Sequence, residues 1–384
     1  METTARILHI MCSLERSGME MMFLNSAQEW KARGIQMDLV ATSANIGPLA
    51  EDLARAGYGI SHIPFRSRIR YLPHPRLIPD FWQLCKTGQY NIVHIHTEAA
   101  RALFAALAWS VGIPKIVYSV HSTFRFHGVL RVRKYIERGL NRALGGKYGM
   151  VSDAVLACEW ERFRNPGVRI YNWLNTTHFR PPTEGERLAA RHQLKCAEDT
   201  FVLCTLGNCD AAKNHAALIR ALVQVKRESS VLLLHVGREE RDQPERALAA
   251  DLRLEESIRF AGSQPDPRPY LWAADAFVMP SLHEGLGIAA LEAIAAGTPA
   301  VLTNVSGLDE VARHVRWATV CETRAGSLAD AILKVMRLPP EMRLMHALDD
   351  SARIREDFSE KNGVKRLISS LYEIPDSEER ERNS

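Results

Sequence analysis

The sequence predicts an α/β protein made of two doubly wound parallel-sheet domains facing each other across a cleft. Three observations carry this. Strand and helix patterns alternate from the start, a turn-rich junction interrupts them near the middle, and the alternation then begins again. The 384 residues suit two domains at roughly 100–200 residues apiece.

The run Arg6-Ile-Leu-His-Ile-Met reads as a first strand, Ser17-Gly18 as a turn, and Met19 to Arg33 as a helix ended by Gly34. Strands follow at Gln36 to Thr42, Asn91 to His96, Lys115 to His121 and Lys147 to Ser152, with a helix over Glu98 to Val111. Tyr171-Asn-Trp-Leu-Asn-Thr-Thr-His-Phe-Arg-Pro-Pro-Thr is the junction. Beyond it come a strand at Thr200 to Leu206, a helix at His215 to Ser229, and strands at Ser230 to Val236, Ile258 to Ala261, Ala276 to Met279 and Ala300 to Thr303. The predicted division is 1–178 for a first domain and 179–355 for a second. Residues 356–384 form a helix returning to the first domain, plus a charged tail. In doubly wound sheets ligands bind beyond the carboxyl ends of the strands, which directs attention to the loops there.

With 46% hydrophobic and 24% charged residues, the composition excludes disordered, collagenous and disulfide-framework chains. No apolar run reaches the roughly 20 residues of a membrane span, and the N-terminus lacks a signal-peptide layout. The seven cysteines are odd in number and scattered without a Cys-x-x-Cys pair, which suggests reduced thiols in the cytoplasm. Net charge is +4 but uneven: residues 1–178 hold 22 Lys+Arg against 13 Asp+Glu, the remainder 27 against 32. The basic first half calls for an acidic partner. No zinc-finger, KH or RNP-type signature points to nucleic acid, so an anionic membrane surface is the better candidate. Two basic blocks carry it: Arg66, Arg68, Arg70 and Arg76, then Arg125, Arg131, Arg133, Lys134, Arg138 and Arg142. The second is interleaved with Phe124, Phe126, Val129, Leu130, Val132, Tyr135 and Ile136. A solvated helix face is the competing reading.

The most informative stretch runs from Ala274 to Val301 and reads as a buried strand, a Pro-Ser turn, a Gly-Leu-Gly entry and a helix closed by Gly297 and Pro299. Gly285 and Gly287 allow backbone amides to approach a ligand closely at a helix N-terminus, which makes a phosphate cradle. Glu292 is a lone charge among alanine, leucine and isoleucine, so it should have hydroxyl or cationic partners.

Glu284 and Glu292 resemble the E-x7-E signature of the group-1 (family 4) retaining glycosyltransferases, which have the GT-B fold of two Rossmann-like domains. Ser17-Gly18-Met19-Glu20, Asn91-Ile-Val-His-Ile-His, Val151-Ser-Asp-Ala-Val, the junction, Gly207 to Asn214, Val236-Gly237 and Phe260-Ala-Gly262 are similar to other turns and strand ends of that family, in the same order.

The resemblance implies a nucleoside-diphosphate-sugar donor, with UDP-sugars favoured, and a saccharide or lipid-linked acceptor. Glu292 would hold the ribose hydroxyls and Glu284 would touch the donor sugar. The amides of Leu286, Gly287 and Ile288 would cradle the diphosphate, beside Gly207, Gly237 and the Lys213 ammonium. With that cation present no metal is expected, and no Asp-x-Asp or His/Cys ligand cluster is evident. His121 would reach the anomeric centre; a histidine paired in the interdomain core is its competing reading. His96 and Gly18 would lie on the acceptor side, whereas His94 is read as structural. The family's usual phosphate-gripping arginine is replaced by Asn208, so that either Arg238 compensates or diphosphate binding is weak. A nucleotide-sugar 2-epimerase and a non-catalytic nucleotide-sugar-binding protein are the alternatives.

Overall fold

A computed structural model describes residues 5–65, 74–124 and 126–375. Arg66, Arg68, Arg70, Arg125 and the charged tail from Ser377 lie outside these residues. Contacts divide the chain into two units, one of residues up to Trp173 together with those from Glu360 onward, the other Leu174–Ser359.

The first unit winds as β1 (Ala5–Met11), α1 (Gly18–Asn25), α2 (Ala27–Ala32), β2 (Ile35–Ala41), α3 (Ala50–Arg55) and β3 (Gly59–His62). It continues through α4 (Leu77–Gly88), β4 (Ile92–Ile95), α5 (Arg101–Ser110), β5 (Lys115–Val120), α6 (Gly128–Ala143), β6 (Lys147–Met150), α7 (Asp153–Phe163) and β7 (Val168–Arg169). The sheet is parallel, in the order β3-β2-β1-β4-β5-β6-β7. Period-two alternation buries both faces. Ile7, Leu39 and Val117 point to one core with Phe23, Trp30 and Leu371, whereas Leu8, Ile10, Val93 and Ile95 point to the other with Phe81 and Phe104.

The second unit holds α8 (Glu184–Gln193), β8 (Phe201–Leu206), α9 (His215–Val225), β9 (Val231–Val236), α10 (Pro244–Asp251), β10 (Ile258–Phe260) and α11 (Arg268–Ala273). After these come β11 (Ala276–Met279), α12 (Ile288–Ala295), β12 (Ala300–Thr303), α13 (Leu308–His314), β13 (Thr319–Cys321), α14 (Ala325–Met336) and α15 (Pro340–Asp357). Its parallel sheet runs β10-β9-β8-β11-β12-β13. Counted from the first strand of each unit, both sheets open in the order 3-2-1-4-5-6, and each has one point where the winding reverses. Those points lie between β1 and β4 and between β8 and β11.

Three expectations need correction. The single helix Met19 to Arg33 is broken at Ser26, whose hydroxyl donates back to the Met22 carbonyl (2.7 Å) and accepts the Trp173 indole N–H. The first crossover falls at residue 173 rather than 178. Leu174 N–H donates to the Phe358 carbonyl (3.0 Å) and Arg355 to the Thr176 carbonyl (3.2 Å), which holds residues 174–178 in the second unit. The return comes after Ser359 rather than 355, and α16 (Glu360–Leu367) with a π turn at Ile368–Tyr372 packs into the core of the first unit.

The third correction concerns the second basic block. Helix α6 is inside out. Its buried face is Lys134, Arg138 and Asn141, and its exposed face carries Val129, Leu130, Val132, Tyr135, Ile136 and Leu140. Arg138 is fully buried and grips Glu159 through two bonds of 2.6 and 2.8 Å, while Lys134 pairs with Glu98 and Glu137 at 3.0 Å. Arg142 donates to Asn165 Oδ1 and the Arg164 carbonyl. Arg131 and Arg133 alone on this helix remain fully exposed cations, set among the apolar side chains. No helix among the described residues is long and apolar enough to cross a membrane.

Candidate active site

The second unit gathers the predicted donor residues at its reversal point. β8 delivers Gly207 and Asn208, and the neighbouring strand β9 delivers Gly237 and Arg238. The two turns meet so closely that a Cβ on Gly237 would lie 1.9 Å from the Gly207 carbonyl oxygen, which only glycine tolerates. Asn208 Oδ1 accepts the Arg238 backbone N–H (2.9 Å), and Cys209 N–H donates to the Arg238 carbonyl (2.8 Å). The asparagine therefore staples two strand ends together, a job for a neutral amide. The Arg238 side chain is exposed and has no partner among the described residues.

β11 leads through Pro280 to the glycine turn. Gly287 caps α12 with φ +81°, a left-handed conformation that turns the chain sharply into the helix. The amides of Gly285, Leu286, Gly287 and Ile288 donate to no acceptor among the described residues. Four free N–H groups at a helix N-terminus form an anion-binding cradle.

Glu284 sits just before this cradle. Its Oε1 accepts from Lys213 Nζ (2.8 Å) and from Ser281 Oγ (2.6 Å). The resemblance assigned these two charges separate tasks; the structure pairs them. An ammonium has three donors, so Lys213 keeps two for a further acceptor.

Glu292 is the fifth residue of α12, one turn past its start. Contrary to the expectation of a partner, its half-buried carboxyl has none among the described residues, and burial raises its pKa to about 8. Among the described residues it makes no salt bridge to a neighbouring helix.

In the first unit, sequence reasoning found His94, His96 and His121 but missed His9, Ser119 and Tyr372. β1 and β4 pair with His9 opposite His94. Both point to the face that also carries Phe23 and the C-terminal segment. His96 Nδ1 lies 3.0 Å from His121 Nε2, and His96 Nε2 lies 2.9 Å from His9 Nδ1. His94 Nδ1 meets the Tyr372 hydroxyl at 2.7 Å and its Nε2 meets Ser119 Oγ at 2.8 Å.

Burial pushes the His9 ring down to about 3 and His121 to about 4, Arg101 adding repulsion at the latter, and it holds His94 and His96 well below the usual range. All four rings are uncharged at neutral pH. His96 is thus buried within this chain of rings, while His121 Nδ1 is a buried nitrogen without a partner. Gly18 opens α1 beyond the carboxyl end of β1.

His9, His94 and His96 bring one nitrogen each within 4.8 Å, a ligand-like grouping that the spacing in sequence did not reveal. Every ring nitrogen of the three is already within hydrogen-bonding reach of another polar group, the longest link being 3.5 Å from His9 Nε2 to Tyr372. A metal ion would have to displace those contacts. The signal for His9 was present, a histidine on the inward face of an otherwise apolar strand. Tyr372 lies 363 residues away and left no such signal.

Two Rossmann-ordered sheets, one with an anion cradle and an unpartnered carboxyl at its reversal point, define a doubly wound α/β protein of two units. Comparison with known proteins carries this further. Residues 186–355 match the family model of glycosyl transferases group 1, and residues 16–159 match that of glycosyltransferase family 4. The chain belongs to the group-1, family 4 glycosyltransferases.

Over 172 residues it is 33% identical to the lipopolysaccharide core biosynthesis glycosyltransferase LpsD of Rhizobium meliloti, covering 45% of this chain and about half, 49%, of that one. It is also 24% identical over 317 residues to an Escherichia coli UDP-Gal:alpha-D-GlcNAc-diphosphoundecaprenol alpha-1,3-galactosyltransferase, covering 79% and 80%. The structure of Anabaena HepE in complex with UDP-glucose superposes with a TM-score of 0.80 at 20% identity, over 96% of this chain and 100% of that one. At that identity the likeness concerns the fold.

Proposed function

We propose that this protein transfers a sugar from a nucleoside-diphosphate sugar, a UDP-sugar in the first instance, to a saccharide or lipid-linked acceptor in polysaccharide or glycoconjugate synthesis, with retention at the anomeric carbon. The observation that carries the donor assignment is the unpartnered Glu292 carboxyl on the same helix as four free amides. A carboxylate accepts hydrogen bonds from the two hydroxyls of a ribose, and the amides donate to the oxygens of a diphosphate. Lys213 would exchange part of its hold on Glu284 for a phosphate oxygen, stabilising the charge that develops as the sugar–phosphate bond breaks. Glu284, released in part, would take a sugar hydroxyl. The acceptor hydroxyl adds to the anomeric carbon on the face the diphosphate leaves, and its proton passes to the departing phosphate oxygen. His121 is assigned to a sugar oxygen near that centre, and Gly18 and His96 to the acceptor side, with His96 acting through His121. No metal enters this scheme.

The UDP preference draws on the UDP-sugar in the name of the Escherichia coli relative and on the HepE complex. The lipid-linked acceptor draws on the first of these names, and polysaccharide assembly on the Rhizobium relative. The apolar, arginine-bearing outer face of α6 supports docking on an anionic membrane, and the unpaired cysteines favour the cytoplasmic side.

Calorimetric titration of UDP and GDP in EDTA tests the reading. Binding of one in preference to the other, without metal, is expected. Absence of binding by either would overturn the donor assignment and with it the transferase mechanism.

A further inference from the structure

The imidazoles of the first unit form a continuous hydrogen-bonded chain. It runs Ser119, His94, Tyr372, His9, His96, His121, with links of 2.8, 2.7, 3.5, 2.9 and 3.0 Å. Each uncharged imidazole carries one N–H and one lone pair, and each hydroxyl carries one proton. Each ring therefore passes the direction of donation on, whereas the Tyr372 oxygen can pass it on or accept from both of its neighbours. There are three arrangements, the third being the one in which Tyr372 accepts from both His94 and His9 and leaves its own O–H and His121 Nδ1 unbonded.

In the first, Ser119 O–H donates to His94 Nε2, His94 Nδ1–H to Tyr372, Tyr372 O–H to His9 Nε2, His9 Nδ1–H to His96 Nε2, and His96 Nδ1–H to His121 Nε2. His121 then carries its proton on Nδ1. In the second, every bond reverses and His121 Nδ1 is a bare lone pair.

Ser119 decides between the first two, and the third is disfavoured because the Tyr372 hydroxyl is buried with no acceptor beyond these two rings among the described residues. It is buried, and its hydroxyl has no acceptor other than His94 among the described residues. The reversed arrangement leaves that O–H with nothing to bond and His121 Nδ1 with no donor. The forward arrangement leaves one unsatisfied group, the His121 Nδ1–H, because a serine oxygen needs no donor. Arg101, the cation that bears on His121, makes no hydrogen bond to it.

We propose that Ser119, His94, Tyr372, His9 and His96 are positioning residues that hold His121 in the Nδ1–H tautomer, so that His121 is a hydrogen-bond donor to an oxygen of the bound sugar. The oxygen as target rests on the glycosyl-transfer reading; the tautomer does not. The chain spans three adjacent strands, β1, β4 and β5, and the C-terminal segment, which gives Tyr372 a reason to be buried against two histidines. It also explains why His121 can lie buried with a nitrogen left over.

The test is ¹⁵N NMR of the full-length chain labelled at histidine, without nucleotide and in EDTA, so that neither donor binding nor metal sets the tautomers. The His121 signals are assigned by their loss in His121→Asn. The native chain is expected to show His121 protonated on Nδ1. Ser119→Ala removes the terminal donor and should cost roughly half of that population or more, and Ser119→Thr, which keeps the hydroxyl, should restore it. Tyr372→Phe interrupts the chain at its middle and should have the same effect, which covers the case in which Ser119→Ala fails to fold. A native His121 protonated on Nε2, or a tautomer indifferent to both Ser119→Ala and Tyr372→Phe, overturns the proposal. Because no nucleotide is present, failure here is separate from failure of the transferase reading.

Discussion

Burial sets the Glu292 carboxyl apart in the second unit. Burial keeps it protonated up to about pH 8, whereas in the unfolded chain it loses its proton near 4.5. Between those values the folded state binds the extra proton, so this group lowers stability progressively as pH rises through the window. Replacement by Gln removes the dependence. The melting temperature of Glu292→Gln is expected to exceed that of the native chain at pH 8, with the gap closing toward pH 4; a gap constant with pH would mean an ordinary carboxyl. Ribose hydroxyls bond the ionised form, so nucleotide binding at pH 7 should expel a proton, seen as a binding heat that depends on the buffer's ionisation enthalpy. Glu292→Ala should weaken UDP by about 1–3 kcal/mol, the scale of hydrogen bonds to a charged group. Its pattern in sequence was plain, an acid alone in an apolar helix. What could not be read was that it stands without a partner, because partners come from other elements. Asn208 shows the converse: its side chain serves the turn of a neighbouring strand, a contact no local pattern records.

Helix α6 shows the limit of amphipathicity. The alternation of apolar and basic residues from Val129 to Arg142 is legible, and it defines two faces. It does not say which face goes inward. The inward face was chosen by Glu98 and Glu159, which neutralise Arg138 and Lys134 in the interior. Arg138→Ala should destabilise the protein by about 3–5 kcal/mol in urea unfolding, since it leaves Glu159 buried without its cation. An effect under about 1 kcal/mol would mean the pair is solvated. On the outer face Val132 is 59% exposed, and Val132→Glu should leave the melting temperature unchanged while reducing sedimentation with anionic lipid vesicles. Equal sedimentation of both proteins would remove α6 as the docking face. The break at Ser26 belongs to this scale too. Nothing in Met19 to Arg33 forbids one helix, and the interruption depends on a tryptophan 147 residues away.

At the scale of the molecule, two units of similar strand order carry different groups, the amide cradle in one and the chain of rings in the other, and each should respond to its own perturbation. Saturating UDP is expected to raise the unfolding temperature of the second unit alone, by the mass action of a ligand bound only when folded. Ending the chain after Ser359 removes α16 and Tyr372 from the core of the first unit and should lower that unit's transition alone. A single transition that shifts as one in both experiments would show the units to be coupled in unfolding. Strand–helix alternation, the restart after the junction, the glycine turn and the paired glutamates are local patterns, and for that reason the sequence by itself determined the fold class and the two wound units and marked the candidate donor residues. Tertiary structure decided the rest: the inward face of α6, the Lys213–Glu284 pair, the solitude of Glu292 and the chain of rings from Ser119 to His121. Each of these depends on groups brought together from distant segments by parallel strand pairing, and such pairing leaves no periodic trace along a single chain.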